Sequence, residues 1–510
     1  MHKYFDRQPC RTLSFVAAAS LAMGLVGIAS GSTPTTTLVS KASGGEPPLC
    51  DTPEDFCYSV HPDITPDGRF VVFSSVVPNL VPGPQVQAAQ VLLHDLQNCT
   101  TIRISQSPSG QPANMPCSNP SISDDGSVIA FTSQATNLVQ GVTGNDAQIF
   151  VYDASTSSMT VISTSVGGIV GNNASAVPII SGDGRWVVFQ SDASNLVAGD
   201  TNGVPDIFLF DRQSDSLQRV NLGAGGVQAN GPTRRPHMSS DGRFIVFDSL
   251  ATNLTADSFT ASPQVFLLDR DANETGIFDE AGGTSMTLQS LSSSQQPANA
   301  AVWWPTVSDD GQLVGFASTA SNLVAGDTNG AMDIFVRDRG LGQTTRESVG
   351  PGGQQTFGGN YFPIRFTSDN RYLTFHSPSH ELVAGGHNGM THIFRRDLHT
   401  GEIVIVSRIS DGELADSSSE VGIPNATGDV IAFTSAGYNL IPGGITNPGW
   451  VNTYVRRFRS ADLNGDSVVD VSDLLMLLGQ WGVSECAIGD LTGDGAIDVS
   501  DLLMLLSDWG

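Results

Sequence analysis

The sequence predicts a mainly β protein, a seven-bladed β-propeller followed by a small α-helical module at the C-terminus. The first observation is an internal repeat. Aligning the 510 residues on the pattern Phe-x-Ser-x-x-x-Asn-Leu gives seven units spaced by 58 or 59 residues, with one step of 69. The second observation is a duplicated segment, DVSDLLMLL, that follows an acidic loop twice near the C-terminus. Long, regular repeats of short strands are typical of propeller blades. The aligned phenylalanines are Phe73, Phe131, Phe189, Phe247, Phe316, Phe375 and Phe433.

Each unit has the pattern of four short strands, and the third unit is typical. Its first strand contains Pro178, and further strands are predicted at 185–190, 206–210 and 217–221. The sequence Gly-Asp-Gly at 182–184 is a tight-turn signal between the first two strands. The segment SNLVAGDTNG, which occurs identically at 194–203 and 321–330, is predicted to be a loop between the second and third strands. A β-solenoid is the alternative, but its rungs are shorter than these units.

The ends of the repeat array predict how the ring closes. The seventh unit stops after its third strand, at 452–458, and therefore lacks a fourth strand. Residues 36–45 (TTLVSKASGG) resemble residues 159–168 (MTVISTSVGG), which span the fourth strand of the second unit and its exit. We expect the N-terminal segment to complete the last blade and to cover an edge that would otherwise promote aggregation. The predicted divisions are an export signal at 1–31, the propeller at 32–459 and the C-terminal module at 460–510.

The N-terminus has the pattern of a bacterial export signal. Lys3, Arg7 and Arg11 precede an apolar run at 13–28, and the small residues that end at Gly31 suit cleavage there. A retained membrane anchor is the alternative, but an apolar run of about 16 residues broken by glycines is short for a bilayer. We expect a secreted protein, extracellular or at the cell surface, without a membrane span.

The cysteines fit an oxidising compartment. Cys50 with Cys57, and Cys99 with Cys117, are near enough in sequence to form two disulfides. Sequence alone does not fix the pairing, because several connectivities are compatible with the same cysteines. The two local bridges are therefore an expectation for the structure to decide.

Residues that recur in nearly every unit favour a structural role. Phe189 and Phe208 suit the core between neighbouring sheets, and Asn195 suits a local turn. The alternative is that the two SNLVAGDTNG loops bind calcium, although they are poor in carboxylates for such a site. The candidate ligands of that alternative are Asp200, Asn202, Asp206, Asp327, Asn329 and Asp333.

Candidate ligand-binding residues lie where the blades differ. In a propeller of this type, the loops into the first strands and the loops between second and third strands lie on one face beside the central channel. Aromatic rings with guanidinium groups at that face suit stacking on sugars or binding of acidic groups. The alternative is that Trp304 and Phe362 only fill the channel. The candidates ahead of the entry prolines are His61, Arg234, Arg235, Trp303, Trp304, Tyr361 and Phe362.

The fourth unit carries an insertion, DRDANETGIFDEAGG, at 269–283. Oxygen-bearing side chains alternate in it before a glycine, as they do in calcium loops. It is a candidate for one further calcium ion in the propeller, and an acidic hairpin in solvent is the alternative. The candidate ligands are Asp271, Asn273, Thr275, Asp279 and Glu280.

Two twelve-residue loops at the C-terminus have the spacing of EF-hand-like calcium sites. Alternating side chains at loop positions 1, 3, 5, 9 and 12, with a backbone carbonyl at position 7, converge on a cation that takes about six to eight oxygens. The sequence therefore predicts two calcium ions. The first loop offers Asp462, Asn464, Asp466, Val468, Asp470 and Asp473, and the second offers Asp490, Thr492, Asp494, Ala496, Asp498 and Asp501.

Two resemblances to known families follow from these motifs. The stretches PDITPDG, PSISDDG, PIISGDG, PHMSSDG and PTVSDDG resemble the signature of TolB-type, WD40-like (PD40) propellers, and this resemblance covers residues 36–459. It implies the propeller fold and says little about function.

The duplicated loop and helix, DVSDLLMLLGQWG and DVSDLLMLLSDWG, resemble a type I dockerin. That resemblance implies two calcium ions and docking to a cohesin module of another protein, often in polysaccharide degradation. The sequence departs from the family at Ser467, which replaces a turn glycine, and at Thr492. The partner-binding positions implied by the resemblance are Val471, Ser472, Val499 and Ser500.

Composition and motifs exclude several function classes. The net charge of −27 repels nucleic acid and anionic lipid. Common hydrolase and nucleotide-binding motifs are absent from the sequence. A secreted binding or scaffold protein for a carbohydrate or protein ligand is the favoured hypothesis, and a non-enzymatic role is favoured with it. The alternatives are a propeller glycoside hydrolase or lyase, whose carboxylates a single sequence does not reveal, and a structural protein of the cell envelope.

Overall fold

A computed structural model describes most of the propeller and part of the C-terminal module. The described residues are 34–43, 45–49, 57–257, 262–357, 359, 361–385, 388–409, 412–441, 444, 450–458, 461, 463, 468–482, 489, 491, 497–507 and 509, with only the backbone at Tyr361 and Phe362. The expected export signal at 1–31 lies outside these residues.

Seven four-stranded antiparallel sheets form the blades of a propeller. The first and innermost strands are Ser59–Ile64, Cys117–Ile122, Ser175–Ile180, Thr233–Met238, Val302–Val307, Tyr361–Phe366 and Ser419–Pro424. The second strands are Phe70–Ser75, Val128–Ser133, Trp186–Ser191, Phe244–Ser249, Leu313–Ser318, Tyr372–Ser377 and Val430–Ser435. The third strands are Gln90–Asp95, Gln148–Asp153, Asp206–Asp211, Gln264–Asp269, Asp333–Asp338, His392–Asp397 and Asn452–Arg457. The outermost strands are Thr100–Arg103, Ser158–Val161, Ser216–Arg219, Ser285–Leu288, Gln343–Arg346, Ile403–Ile405 and Thr35–Leu38.

The remaining elements are short. Among the described residues, two small ribbons lie outside the blades and pair Leu222–Gly223 with Val227–Gln228 and Val349–Gly350 with Gln354–Gln355. Two single turns of 3₁₀ helix are Pro78–Leu80 and Ala224–Gly226, and the two α-helices are Val471–Gly479 and Val499–Ser507. Within the described part of the chain, no helix has the length and hydropathy needed to cross a bilayer.

The N-terminal strand completes the last blade, as the repeat array predicted. Thr35–Leu38 pairs antiparallel with Asn452–Arg457 and forms the outer edge of that sheet. Leu38 is 6% exposed and packs with Phe433 and Tyr454. A separate cluster of buried residues joins the last blade to the first. Both ends of the repeat array are therefore fixed in one ring.

Each pair of neighbouring blades shares a hydrophobic cluster, and seven such clusters run around the described ring. Within six blades an aromatic ring of the second strand stacks on one of the third strand, with centroids 5.6 to 6.2 Å apart. Such offset contacts add to the free energy gained by burying the rings. The pairs are Phe131–Phe150, Phe189–Phe208, Phe247–Phe266, Phe316–Phe335, Phe375–Phe394 and Phe433–Tyr454. The repeated phenylalanine is a core residue.

The repeated asparagine connects one blade to the exit segment of the blade before it. Asn195 Nδ2 donates to the carbonyl of Val170 at 3.0 Å, and its Oδ1 accepts from the amide of Asn172 at 2.9 Å. Equivalent donor bonds recur at Asn137, Asn253, Asn322 and Asn439. The asparagine thus has a structural role in almost every blade, since it satisfies backbone groups at each junction. The prediction of a local turn at Asn195 is wrong, because its two partners precede it by 25 and 23 residues.

The two SNLVAGDTNG loops are held by arginines. Arg219 Nη1 lies 3.1 Å from both Asp200 and Asp206, and Asn202 Nδ2 donates to Asp206. Arg346 makes the corresponding ion pairs in the second copy. The guanidinium group occupies the position at which a cation would neutralise these carboxylates. In the described part of the chain, no group of three or more His, Cys, Asp or Glu side chains has the arrangement of a metal site.

The cysteines correct one expectation. Cys117 is a buried thiol, its Sγ donates to Ser133 Oγ at 3.2 Å, and it is not bonded to Cys99. Burial raises the pKa of the Cys117 thiol to about 12. The inner strand of the second blade places this side chain in the core shared with the first blade, so proximity in sequence was misleading. Cys57 is disulfide-bonded, and its expected partner Cys50 lies outside the described residues.

Closure of the ring can be tested at the N-terminal strand. Leu38→Ala should lower the free energy of unfolding by about 2–5 kcal/mol, because it removes a buried side chain from the core of the last blade. Thr37→Ala, at an exposed position of the same strand, should change it by no more than about 0.5 kcal/mol. Urea-induced unfolding of both variants measures the difference. Equal effects would show that Leu38 does not contribute to closure.

Candidate functional site at the channel mouth

A cavity of about 760 Å³ lies at the centre of the ring and is lined by the seven innermost strands. Strand pairing places the start of each first strand beside the end of the second and the start of the third, for example Ser175 opposite Ser191 and Ser191 opposite Asp206. The loops that enter the first strands and those between second and third strands therefore share one face. We call the end of the channel at this face, around His61 and Trp304, the mouth.

Each first strand contains a β-bulge near the mouth, where its pairing with the second strand shifts register. In six blades the third residue of the strand has a left-handed φ of 50° to 56°, and in five of them a proline follows. Proline suits a bulge because it has no amide hydrogen to pair. Left-handed backbone at a valine costs about 1–3 kcal/mol, so the pairing on either side of the bulge must hold it in place. The six residues are His61, Asn119, Val177, Arg235, Trp304 and Val421.

Arg235 and Trp304 form the main polar and aromatic contact at the mouth. The Arg235 guanidinium lies over the Trp304 ring, 4.9 Å from its centroid, and Arg235 Nη1 donates to Asp248 Oδ2 at 2.7 Å. The backbone amide of Arg235 donates to Gln190 Oε1 of the preceding blade at 2.9 Å. The arginine is therefore held between two blades and the tryptophan ring. Trp304 lines the cavity, whereas Arg235 lies behind it and is not among the described lining residues.

Asp248 is 4% exposed. Burial raises the pKa of its carboxyl group to about 6, although the charge and hydrogen bond of Arg235 oppose that shift. The Asp248 carboxyl group therefore loses its proton, and becomes the charged partner of Arg235, as the pH rises through about 6.

The other predicted face residues separate into two groups. His61 lines the cavity, and burial lowers the pKa of its imidazole. Among the described residues, Arg234 and Trp303 do not line it, and Arg234 lies 3.8 Å from Asp192 in a half-exposed pair. The side chains of Tyr361 and Phe362 lie outside the described part of the chain.

Three charged or titratable side chains in the channel were missed by the sequence analysis. Asp63, His237 and Arg365 occupy equivalent positions just after the bulges of the first, fourth and sixth blades, and all three line the cavity. The residues predicted from sequence precede the entry proline, whereas these three follow it. The signal that could have found them is a charged or titratable residue where other repeats have serine, threonine or isoleucine.

The opposite end of the channel is narrowed by the turns between first and second strands. The amide of Gly182 donates to the carbonyl of Ser240 at 2.7 Å, and Ser240 Oγ donates to Asp124 Oδ2 at 3.1 Å across the third blade. A Cβ at Gly182 would lie 2.1 Å from Ser240 Oγ and 2.2 Å from Asp124 Oδ2. Glycine is required because these two side chains meet over its backbone.

The insertion of the fourth blade is held by its own hydrogen bonds. Asp271 accepts from the amides of Thr275 and Gly276 at 2.9 and 3.0 Å, and Glu280 accepts from Asn273 and Thr275. Asp279 pairs at 2.7 Å with Arg270, a fully buried residue. These contacts give the loop a local structural explanation, and a calcium ion at this loop stays a prediction.

The described residues of the two C-terminal loops have matching geometry. Asp473 accepts from the amides of Leu463 and Asp470 at 2.7 and 2.8 Å, and Asp501 makes the equivalent bonds at the same distances. Both carboxylates are fully buried, and Asp470 caps the first α-helix. The predicted ligands outside the described residues are Asp462, Asn464, Asp466, Asp490, Thr492, Asp494 and Ala496.

The titration of Asp248 predicts a pH effect on stability. Because its folded pKa of about 6 lies above the value of about 3.9 in an unfolded chain, the folded state retains a proton that the unfolded state loses between these values. Stability from this group is therefore lost as pH rises from about 4 to 6, by about 3 kcal/mol, and is constant above.

Melting temperatures of the wild type and Asp248→Asn, measured across this range, test the effect. The advantage of the wild type over the variant should decrease between pH 4 and 6. Asp192→Asn, which alters only the half-exposed pair with Arg234, is the control and should show little change. A constant difference between wild type and Asp248→Asn would contradict the prediction.

Comparisons with known proteins concern the fold. No family model and no curated protein sequence matches the chain. TolB from Acinetobacter baumannii is 19% identical with a TM-score of 0.33, over 57% of this chain and 54% of TolB, so the chain spans about half of that protein. Oligogalacturonate lyase from Vibrio parahaemolyticus is 12% identical with a TM-score of 0.48, over 83% and 97%. The β-propeller domain of the Trilobed protease from Pyrococcus furiosus is 11% identical with a TM-score of 0.43, over 74% and 91%.

Proposed function

We propose that this chain is an exported, calcium-binding protein whose propeller binds a carbohydrate or protein ligand at the channel mouth. Its C-terminal helices dock on a cohesin-like module of another protein, in polysaccharide degradation or extracellular assembly. The observation that carries the proposal is the Arg235 guanidinium over Trp304, which is fixed by Asp248 at the open end of a large cavity. A rigid aromatic ring beside a guanidinium is suited to stacking on a sugar ring or binding an acidic group.

A propeller hydrolase or lyase is the second candidate, and one observation favours it. Asp248 has a pKa raised to about 6 by burial, which is in the range that general acid catalysis requires. Its carboxyl group is held by Arg235 and is 4% exposed. Because this arrangement limits contact with a substrate, binding remains the favoured function.

Calcium is proposed from the donor chemistry of the C-terminal loops. Asp473 and Asp501 each place a fully buried carboxylate at the end of an acidic loop, where backbone amides fix its orientation. Buried carboxylates need a compensating charge or further hydrogen bonds. The residues that would hold the two ions are the loop residues named in the sequence analysis, and the bound ions would stabilise a small module with a thin core.

Docking is proposed from the exposed apolar faces of the two helices. Val471, Leu475 and Leu478 lie at helical spacing and are 58%, 64% and 47% exposed. The second helix repeats this face at Val499, Leu503 and Leu506. Exposed apolar stripes of this kind mark surfaces that bind another protein. Ser472 and Ser500 adjoin these stripes, as the dockerin resemblance requires of partner-binding positions.

Ligand binding at the mouth can be tested with paired tryptophan variants. Trp304→Ala should weaken retention on any polysaccharide or protein that the full chain binds by about tenfold or more, because it removes an aromatic anchor from the cavity. Trp303→Ala is the matched control, since the neighbouring side chain does not line the cavity, and it should bind like the wild type. Affinity electrophoresis over a panel of polysaccharides is the measurement.

The same panel separates binding from catalysis. Release of reducing or unsaturated sugars during incubation would favour the hydrolase or lyase, and retention without product would favour a binding protein. If both tryptophan variants weaken retention equally, the mouth is not the binding site.

Calcium binding can be counted by calorimetric titration of the full, chelator-treated chain. The wild type should take up about two ions through its C-terminal loops. Asp473→Ala should remove one of these ions and the double variant with Asp501→Ala should remove both, because each loses the last ligand of a loop. Ser472→Ala, beside Asp473 on the first helix, should leave the count unchanged. The calcium proposal is wrong if the double variant and the wild type bind calcium equally.

A further inference from the structure

The channel contains a partly buried positive charge that has no carboxylate contact in the described part of the chain. Arg365 lines the cavity, and in the described part of the chain its guanidinium makes a single hydrogen bond, from Nη1 to the carbonyl of Ile364 at 2.9 Å. Five N–H groups on a guanidinium can donate, so most of its donors have no acceptor among the described residues. Arginines elsewhere in the ring, such as Arg185 with Asp211, use theirs in bidentate ion pairs.

Asp63 is a source of negative charge that acts on Arg365, and each of its oxygens accepts one backbone hydrogen bond and can accept a further one. They accept from the amide of Ile64 at 3.0 Å and from the amide of Ile122 in the next blade at 3.1 Å. Burial raises the pKa of Asp63, while the positive charge of Arg365 acts in the opposite direction. The two side chains thus influence each other across the channel, but Asp63 forms no ion pair with Arg365 in the described structure.

His237 adds a neutral donor to the same cavity. Its Nδ1 accepts from the amide of Val307 at 3.4 Å, so the neutral ring carries its proton on Nε2. Burial lowers the pKa of His237, and the charge of Arg365 lowers it further. The imidazole therefore offers a hydrogen-bond donor and no competing charge.

We infer that the channel binds a small hydroxylated carboxylate, with the carboxylate at Arg365 and His237 and a hydroxyl group at Asp63. Guanidinium groups recognise carboxylates by paired, charge-assisted hydrogen bonds. A buried charge of this kind is stabilised when a ligand of opposite charge replaces the water lost on burial. The cavity of about 760 Å³ is large enough for a molecule of about ten heavy atoms.

Hydrogen bonds between the turns at Gly182, Asp124 and Ser240 cross the other end of the channel, so we expect a ligand to enter at the mouth. A ligand that enters there passes Trp304 before it reaches Arg365. This inference rests on the proposed function, in which the channel mouth binds a ligand. It adds that the positive charge of Arg365 selects a ligand with a carboxylate.

Three probes with the same six-carbon chain test the inference on the full protein. D-gluconate carries a carboxylate, D-sorbitol has a neutral hydroxyl in its place, and D-glucamine carries an ammonium group. Calorimetry at constant pH and ionic strength should show binding of gluconate at least tenfold tighter than of sorbitol, with glucamine weakest. Equal binding of gluconate and sorbitol, a preference for glucamine, or no binding of gluconate would overturn the inference.

Two channel variants identify the responsible residue. Arg365→Gln keeps a donor for the Ile364 carbonyl but removes the charge, and it should abolish the preference for gluconate over sorbitol. Asp63→Asn keeps an acceptor for the Ile122 amide and should bind gluconate at least as tightly as the wild type. Loss of gluconate binding in Asp63→Asn alone would assign the selection to Asp63 and overturn the role of Arg365. If Arg365→Gln does not fold, the three probes on the wild type and on Asp63→Asn still decide the outcome.

These results are independent of the polysaccharide assay. Retention of a polysaccharide with no preference for gluconate would leave the proposed function intact and reject the inference. Selective gluconate binding without retention of any polysaccharide or protein would support the inference and show that the channel mouth does not bind a polysaccharide or protein.

Discussion

The whole propeller depends on closing a ring in which every sheet buries both faces. Each of the seven clusters of buried side chains is shared by two neighbouring blades, so no blade has a complete core alone. The last interface exists because Thr35–Leu38 pairs with Asn452–Arg457 and fixes the two ends of the repeat array together. Hydrogen bonds cover the open strand edge while Leu38 fills the core.

Closure also creates the channel and decides which residues can act in it. Seven innermost strands surround one cavity, and a bulge in each strand changes the direction of the side chains that follow. The residues common to all blades are used in packing and in contacts such as that of Asn195 with Val170. The blades differ in residue type near the bulges. Arg235 and Trp304 are in contact at the mouth, and Arg365 lies further inside.

The candidate site was partly predictable from sequence. His61 and Trp304 were predicted because each directly precedes the entry proline of its own blade, at a position where the blades differ in residue type. Both line the cavity. Asp63 and Arg365 were missed because the bulge shifts the alternation of side chains, so counting residues along a strand does not give the side chains that face the channel. The expected bridge of Cys99 with Cys117 failed for a related reason. Short separation in the sequence does not bring side chains together when one of them faces a core between blades.

The sequence by itself determined the number of blades, the four-strand pattern of each unit and the strand exchange at the ends, because a repeat must solve the same packing problem in every copy. The sequence also determined that the two C-terminal loops have the same geometry, because the spacing of their acidic residues is the same and lies within twelve residues. Only the tertiary structure decided which contacts cross the ring. Gly182 must be a glycine because Asp124 and Ser240, 116 residues apart, meet over it. Arg365 of the sixth blade and Asp63 of the first blade act on each other because closure of the ring brings both strands to one channel.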